Sequence, residues 1–214
     1  MSVPIENFLT VWAVLAMNIA SPGPNVLNTM TTAMGSGRGA GLASAAAVGV
    51  GIGGWCVAMT LGVAALFDAV PVARAVLTLV AIALLVWFAG RFMRNAWIGC
   101  RNRADMRLAG QRGMGLRASF LRSLFINATN PKALTTWVLI LALFPVARAG
   151  GPEIVLLGLG AAAIGFTLHA VYAVAFSTGP ATRAYLRAAP AINAGVALFF
   201  AGFAIKLAVG LGTP

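Results

Sequence analysis

MNIASPGPNVLNTM, residues 17–30, sits at the centre of an apolar run, residues 6–33, and decides how the chain folds. A run of that length suits a membrane helix, which needs about 20 mainly apolar residues. Yet it contains Ser21-Pro22-Gly23-Pro24-Asn25. Proline has no backbone N–H, and its ring clashes with the preceding turn. Gly23 loosens the backbone between the two prolines. A continuous helix is therefore not expected. Ser21-Pro22 reads instead as a helix start, with serine as N-cap and proline at the first position. The run becomes two half-helices, with a fresh N-terminus near mid-membrane.

The same construction recurs in INATNPK, which starts at Ile126 inside a second apolar run, 119–147. At one constant offset Asn18 falls on Asn127, Ser21 on Asn130 and Pro22 on Pro131, and Gly49 and Gly51 fall on Gly158 and Gly160. Further along, Phe88-Ala89-Gly90 resembles Phe200-Ala201-Gly202, and Arg94 comes opposite Lys206. Alanine and glycine are common here and match by chance; two Asn-x-x-(Ser/Asn)-Pro motifs are harder to produce that way. The chain reads as one transmembrane domain, 1–214, made of two repeats, about 1–105 and 115–214. Three helices per repeat is an odd number, so the second repeat enters the membrane from the opposite side. That is the inverted arrangement of many secondary transporters, whose substrate site lies where the halves meet near the midplane.

Working outward, the remaining apolar runs are 41–67, 72–99, 154–178 and 191–211, which makes six in all. The fold class expected is all-α, with about six membrane helices, the first and fourth broken. Composition agrees: 60% of the residues are hydrophobic and 9% charged, against about 25% charged in soluble domains. The net charge of +11 does not indicate nucleic acid, because the basic residues collect between the apolar runs. Loop one carries Arg38, loop three Arg101, Arg103, Arg107, Arg112 and Arg117 against Asp105, and loop five Arg183 and Arg187. Loops two and four are mixed, with Asp68, Arg74, Arg148 and Glu153. The positive-inside rule then puts the odd loops in the cytoplasm and both termini outside. Cys56 and Cys100 form no CxxC pair, so neither a disulfide framework nor a metal site is expected. The start, MSVPIENFLTVW, lacks the basic region and cleavage site of a secretory signal.

Each helix start inside the membrane offers unpaired N–H groups and the positive end of a helix dipole. Such a site suits an anion, including an amino-acid carboxylate. Lys132, one residue past Pro131, adds a full charge that is costly at that depth unless it faces protein or water. The plainer reading is a packing kink with a snorkelling lysine. Asn25, Asn28, Thr29 and Thr32 form a stripe at helical spacing, and Lys132, Thr135 and Thr136 repeat its start. Both stripes suit a polar cavity, and equally suit hydrogen bonds between helices. His169, the only histidine, lies near Tyr172. It is the candidate proton-coupling group, though a lone helical histidine is commonly a packing residue. There is no Walker A loop, HExxH or GxSxG, and no cofactor is expected. The glycines of GVGIGG, Gly49 to Gly54, suit close helix packing.

At these residues the sequence resembles the LysE/RhtB family of amino-acid exporters. SPGPNVLNTMTTAMGSGRGAGLASAAAVGVGIG (Ser21 to Gly53) is similar to that family's first signature and FINATNPKALTTWVLILALFP (Phe125 to Pro145) to its second. The resemblance implies ion-driven efflux of amino acids such as threonine, homoserine, lysine, leucine or cysteine derivatives across a bacterial inner membrane. It carries family positions onto Ser21, Pro22, Gly23, Pro24, Asn25, Asn127, Asn130, Pro131 and Lys132. Members often have a carboxylate in the fifth segment; residues 154–178 here have none. The substrate-binding set expected is those nine residues with Asn18, Asn28 and Tyr172. The partners expected are an amino acid, neutral rather than dibasic, and membrane lipid; self-association is left open. Cation efflux is the runner-up. It lacks clustered carboxylates, since Glu6, Asp68, Asp105 and Glu153 all lie near ends or loops. A lipid-acting membrane enzyme would need a nucleophile or an acid–base pair at the interface, whereas the polar residues cluster at the midplane. A purely structural membrane subunit would not require two matched breaks.

Overall fold

Proline and glycine placement sets where the helices of this chain stop and turn. In the computed structural model, which describes residues 3–69, 72–101 and 110–212, α1 (Ile5–Ala20) ends one residue before Ser21. Ser21 is extended at φ −77° and ψ 141°, the region into which the residue before a proline is pushed. Pro24, not Pro22, then opens α2 (Pro24–Ala69), where a missing N–H costs nothing, so Ser21 caps the end of α1 and is not the N-cap of the second half-helix. At about 1.5 Å per residue a straight helix of 46 residues would be about twice the thickness of a hydrocarbon core. Gly37 prevents that: its φ of +85° interrupts the helix and separates 24–36 from 38–69. A Cβ at Gly37 would meet nothing within 4 Å, so the requirement there is conformational rather than steric. The expected first loop is thus a one-residue turn.

The chain continues as α3 (Ala73–Arg101), α4 (Leu116–Ala128), α5 (Pro131–Leu143), a 3-10 turn (Val146–Arg148), α6 (Gly151–Phe176) and α7 (Gly179–Gly212). Among the described residues every regular element is helical. Four stretches are long and apolar enough to cross a membrane: Pro24–Gly62, Val76–Arg101, Gly151–Phe176 and Arg187–Val209. α1 and α5 are apolar but shorter. The expectations placed on Arg103, Asp105 and Arg107 fall outside the described residues, and so do those on the side chains of Asp68, Arg74 and Arg183.

Two apolar clusters hold the helices together. One gathers Phe8, Leu15, Met30, Ile52, Trp137 and Leu157 from α1, α2, α5 and α6. The other joins α3 to α7 through Leu85, Phe88, Phe92 and Phe200, with Val14 of α1 and Leu139 of α5. α1 and α5 contribute to both, so the two short helices form the middle of the bundle. Large apolar side chains are also exposed on most of the helices, among them Leu9, Leu61, Leu79, Phe125, Leu159 and Leu198. Apolar exposure on that scale suits a surface that meets lipid and not water. In lipid it costs nothing, and the helices are then held by close packing and internal hydrogen bonds rather than by the hydrophobic effect. The placement of α1 and α5 at the centre brings the two helix breaks together.

Candidate functional site

At the first break, α1 ends with carbonyls that have no helical partner. Lys132 reaches across from α5 and closes that end. Its Nζ donates to Asn18 O at 2.8 Å, Ser21 O at 3.2 Å and Ser21 Oγ at 2.7 Å. The Ser21 hydroxyl in turn donates to Asn18 O at 2.6 Å. An ammonium has three N–H groups, and all three are engaged. A cation at the C-terminal end of a helix also meets the negative end of its dipole. The Tyr172 hydroxyl donates to Ala20 O at 3.3 Å, and the Phe92 ring lies 5.4 Å from Nζ.

The second break is closed from within. Asn130 is the N-cap of α5, and its side chain accepts from Lys132 N at 3.0 Å. Its carbonyl accepts from Ala133 N and Leu134 N, and Pro131 has no N–H to satisfy. The N-terminus of α5 therefore has no spare donor. The start of α2 is different: Leu27 N bonds Gly23 O, and the N–H groups of Asn25 and Val26 have no acceptor among the described residues.

Between the breaks lies a small cavity of about 50 Å³, room for a few water molecules or a small polar group. Its polar wall is Asn18, Asn25, Asn127, Asn130, Lys132, Thr136 and His169, and its apolar wall includes Leu15, Ile19, Val26, Ile52, Ala133 and Trp137. Five buried side-chain atoms of that wall have no partner: Asn18 Oδ1, Asn25 Oδ1, both amide atoms of Asn127, and His169 Nε2. Each such atom is costly in a finished structure, and several around one cavity mark a place where a polar guest or water completes them. The Asn18 amide donates to Thr136 Oγ1, and Thr136 donates to Lys132 O at 2.5 Å.

Of the residues expected from sequence, Asn18, Gly23, Asn25, Asn127, Asn130 and Lys132 line the cavity together with the proton-coupling candidate His169. Others are placed differently. Pro22, Pro24 and Pro131 shape the breaks and do not line the cavity. Ser21 is fully buried behind Lys132. Asn28 faces elsewhere: its amide donates to Ser44 Oγ at 3.3 Å, and its oxygen accepts from Arg122 Nε at 3.2 Å. Thr29 and Ser123 complete that separate cluster through Ser44 Oγ, at 3.0 and 2.9 Å. Tyr172 uses its proton on Ala20 O and packs its ring against Phe176 and Tyr185. Lys132, expected to meet a carboxylate, lines the cavity while its ammonium bonds the end of α1. Sequence reasoning also missed Ile52 and Trp137, because an apolar wall carries no signal within an apolar helix.

No curated protein and no solved structure gives a significant match to the chain. A family model does match, over residues 16–211, a span that includes both breaks and every residue of the cavity wall but Leu15. This helical, multi-pass membrane protein belongs to the LysE type translocator family, a family of transporters.

Proposed function

We propose that the chain exports neutral amino acids or close derivatives across the bacterial inner membrane, coupled to the inward movement of protons. The observation that carries this reading is the cavity between the breaks, walled by unpartnered polar atoms from both halves of the chain. A carboxylate belongs at the start of α2, where the Asn25 and Val26 N–H groups and the helix dipole meet the cavity. Lys132 contributes its charge from the side: a Cβ added to Gly23 would lie 3.1 Å from Nζ. No carboxylate lines the cavity among the described residues, so a second positive charge on the solute would find no partner. Neutral amino acids should therefore be preferred to lysine and arginine.

The architecture that goes with this reading is six spans, in which α1 with 24–36 forms the first and α4 with α5 the fourth. It is two inverted repeats with the odd loops in the cytoplasm. Three contacts support it. The repeat-related Phe88 and Phe200 stack on each other with ring centroids 5.6 Å apart, as residues beside a two-fold axis would. Gly51 packs so closely on Asn127 that a Cβ there would collide with its amide, and the repeat-related Gly160 packs as closely on the Trp12 indole. Each half thus uses the same glycine to admit a side chain of the other half's broken helix.

The test is efflux of radiolabelled threonine, leucine and lysine from overexpressing cells, paired with binding to the purified protein of each free acid and its amide. Efflux of threonine or leucine well ahead of lysine is expected, with amides bound poorly. Equal binding of amides and acids would sink the carboxylate site.

A further inference from the structure

His169 is completely buried, and its Nδ1 lies 2.8 Å from Gly165 O. A carbonyl oxygen can only accept, so Nδ1 carries the proton. The neutral ring then keeps a bare lone pair on Nε2. That atom is buried without a partner, on a ring that lines the cavity. Asn25 Oδ1 is a second unpartnered acceptor on the same wall. Asn127 is fully buried with neither amide atom satisfied, and it presents an oxygen when its amide is turned that way.

We propose that His169 Nε2 and Asn25 Oδ1, assisted by Asn127, form a subsite for a primary ammonium group, and that this ammonium and a proton exclude each other at the Nε2 lone pair. The inference rests on the amino-acid reading of the cavity and assigns its other end. A primary ammonium offers three N–H donors and needs three acceptors. Here they are supplied without a carboxylate. Once Nε2 gains a proton it becomes a donor and can no longer accept an N–H, so binding the solute requires that proton to leave. One lone pair shared in this way couples one solute to one proton in opposite directions. The other titratable groups around the ring are few. Lys132 of α5 lines the same cavity, and its fixed hydrogen bonds hold it at α1. Tyr172 on the same helix sits edge-on at 6.2 Å with its proton on Ala20 O. Tyr185 of α7 packs on Tyr172. On α2, Cys56 lies by Gly158, about three turns away. On α1, Glu6 lies beyond Trp12, which contacts Leu157.

The experiment measures binding of L-threonine, L-homoserine and L-leucine to purified protein from about pH 8 down to about pH 4.5, the side on which histidine charges. It uses the parent, His169→Gln and His169→Leu, each checked for folding by thermal unfolding. Glutamine places an oxygen near the Nε2 position but takes no proton; leucine removes the acceptor. The parent should lose affinity on acidification, by up to about tenfold per pH unit for one competing proton. His169→Gln should bind within severalfold of the parent at the alkaline end and show no pH dependence. His169→Leu should bind roughly ten- to a hundredfold more weakly at every pH. The N-trimethyl derivative of the best ligand keeps the charge and lacks the donors, and should not bind. If the parent binds none of the amino acids, the transport reading falls and the subsite with it. If an amino acid binds but His169→Gln keeps the parental pH dependence, or His169→Leu binds as well as the parent, or the trimethyl derivative binds equally, the subsite alone is overturned.

Discussion

The two helix breaks are spelled with similar residues and closed by different means. At the second break the cap is local: Asn130 bonds the backbone of Lys132 two residues on. At the first break the cap comes from 111 to 114 residues away, as the Lys132 ammonium on Asn18 and Ser21. One residue therefore belongs to the second break by its backbone and to the first by its side chain. The consequence is an asymmetric cavity. The α5 start is saturated, whereas at the α2 start Asn25 and Val26 line the cavity and their backbone N–H groups have no acceptor among the described residues. In the proposed reading, two matched motifs thus make one anion-binding end. The unpartnered His169 Nε2 on the cavity wall is, in that reading, left for the ammonium of the solute. A symmetric site would bind a dicarboxylate as readily as an amino acid; the proposed one has a direction.

Lys132→Met tests that comparison most severely. It keeps most of the stem and removes the donor that serves three acceptors at α1. Leaving buried carbonyls unpaired should destabilise the protein by about 2–3 kcal/mol, read as a lower unfolding midpoint in detergent, with transport lost. Lys132→Arg should not restore it, because a planar guanidinium cannot reproduce a compact three-donor point. If Lys132→Met unfolds like the parent, with or without amino acid present, the lysine is not a clasp and its charge is free for the solute.

Ser21→Asn carries the residue of the second break into the first. Under a purely motif-based reading the exchange is neutral, since asparagine and serine are equivalent N-caps. The structure gives the opposite expectation. Ser21 is fully buried, and its hydroxyl both accepts from Lys132 and donates to Asn18 O. The larger amide overfills that space and displaces Lys132, for about 1–3 kcal/mol. Thermal unfolding of Ser21→Asn beside the parent reads this directly, and an unchanged midpoint would mean that the two breaks are interchangeable.

What could be read from the sequence follows the reach of each physical rule. The breaks were legible because the missing N–H of Pro22, Pro24 and Pro131 acts within one turn. The lysine beside Pro131 was visible as an expensive charge, but the acceptors that it serves are set by packing. The Asn25, Asn28, Thr29, Thr32 stripe was legible as one helix face and not by its neighbours: Asn25 meets the cavity while Asn28 and Thr29 meet Ser44. Periodicity gives a direction around a helix axis and nothing about which element stands there. Gly37 lay in an expected loop, and a φ of +85° that turns the chain in one residue has no sequence signal beyond glycine itself. The state of His169 depends on one backbone carbonyl, Gly165 O, a turn earlier in its own helix. That spacing is local, but nothing in it says that the ring turns back to its own helix and not to a neighbour.

Asn130→Ser is the reciprocal exchange and should have the smallest effect. Serine at an N-cap accepts from the backbone about as well as asparagine, and the bond at stake, to Lys132 N, is within reach of a hydroxyl. Pro131 fixes the first turn of α5 whichever residue precedes it. The loss should therefore be a few tenths of a kcal/mol, whereas Asn130→Ala, which has no acceptor, should lose about 1 kcal/mol. The pair separates capping from cavity lining, because Asn130 also borders the cavity. If Asn130→Ser and Asn130→Ala are equally destabilised, the side chain matters for its volume and not its oxygen, and the second break is then held by packing. If serine is tolerated at 130 while asparagine is rejected at 21, the asymmetry belongs to the surroundings of the two motifs and not to their letters.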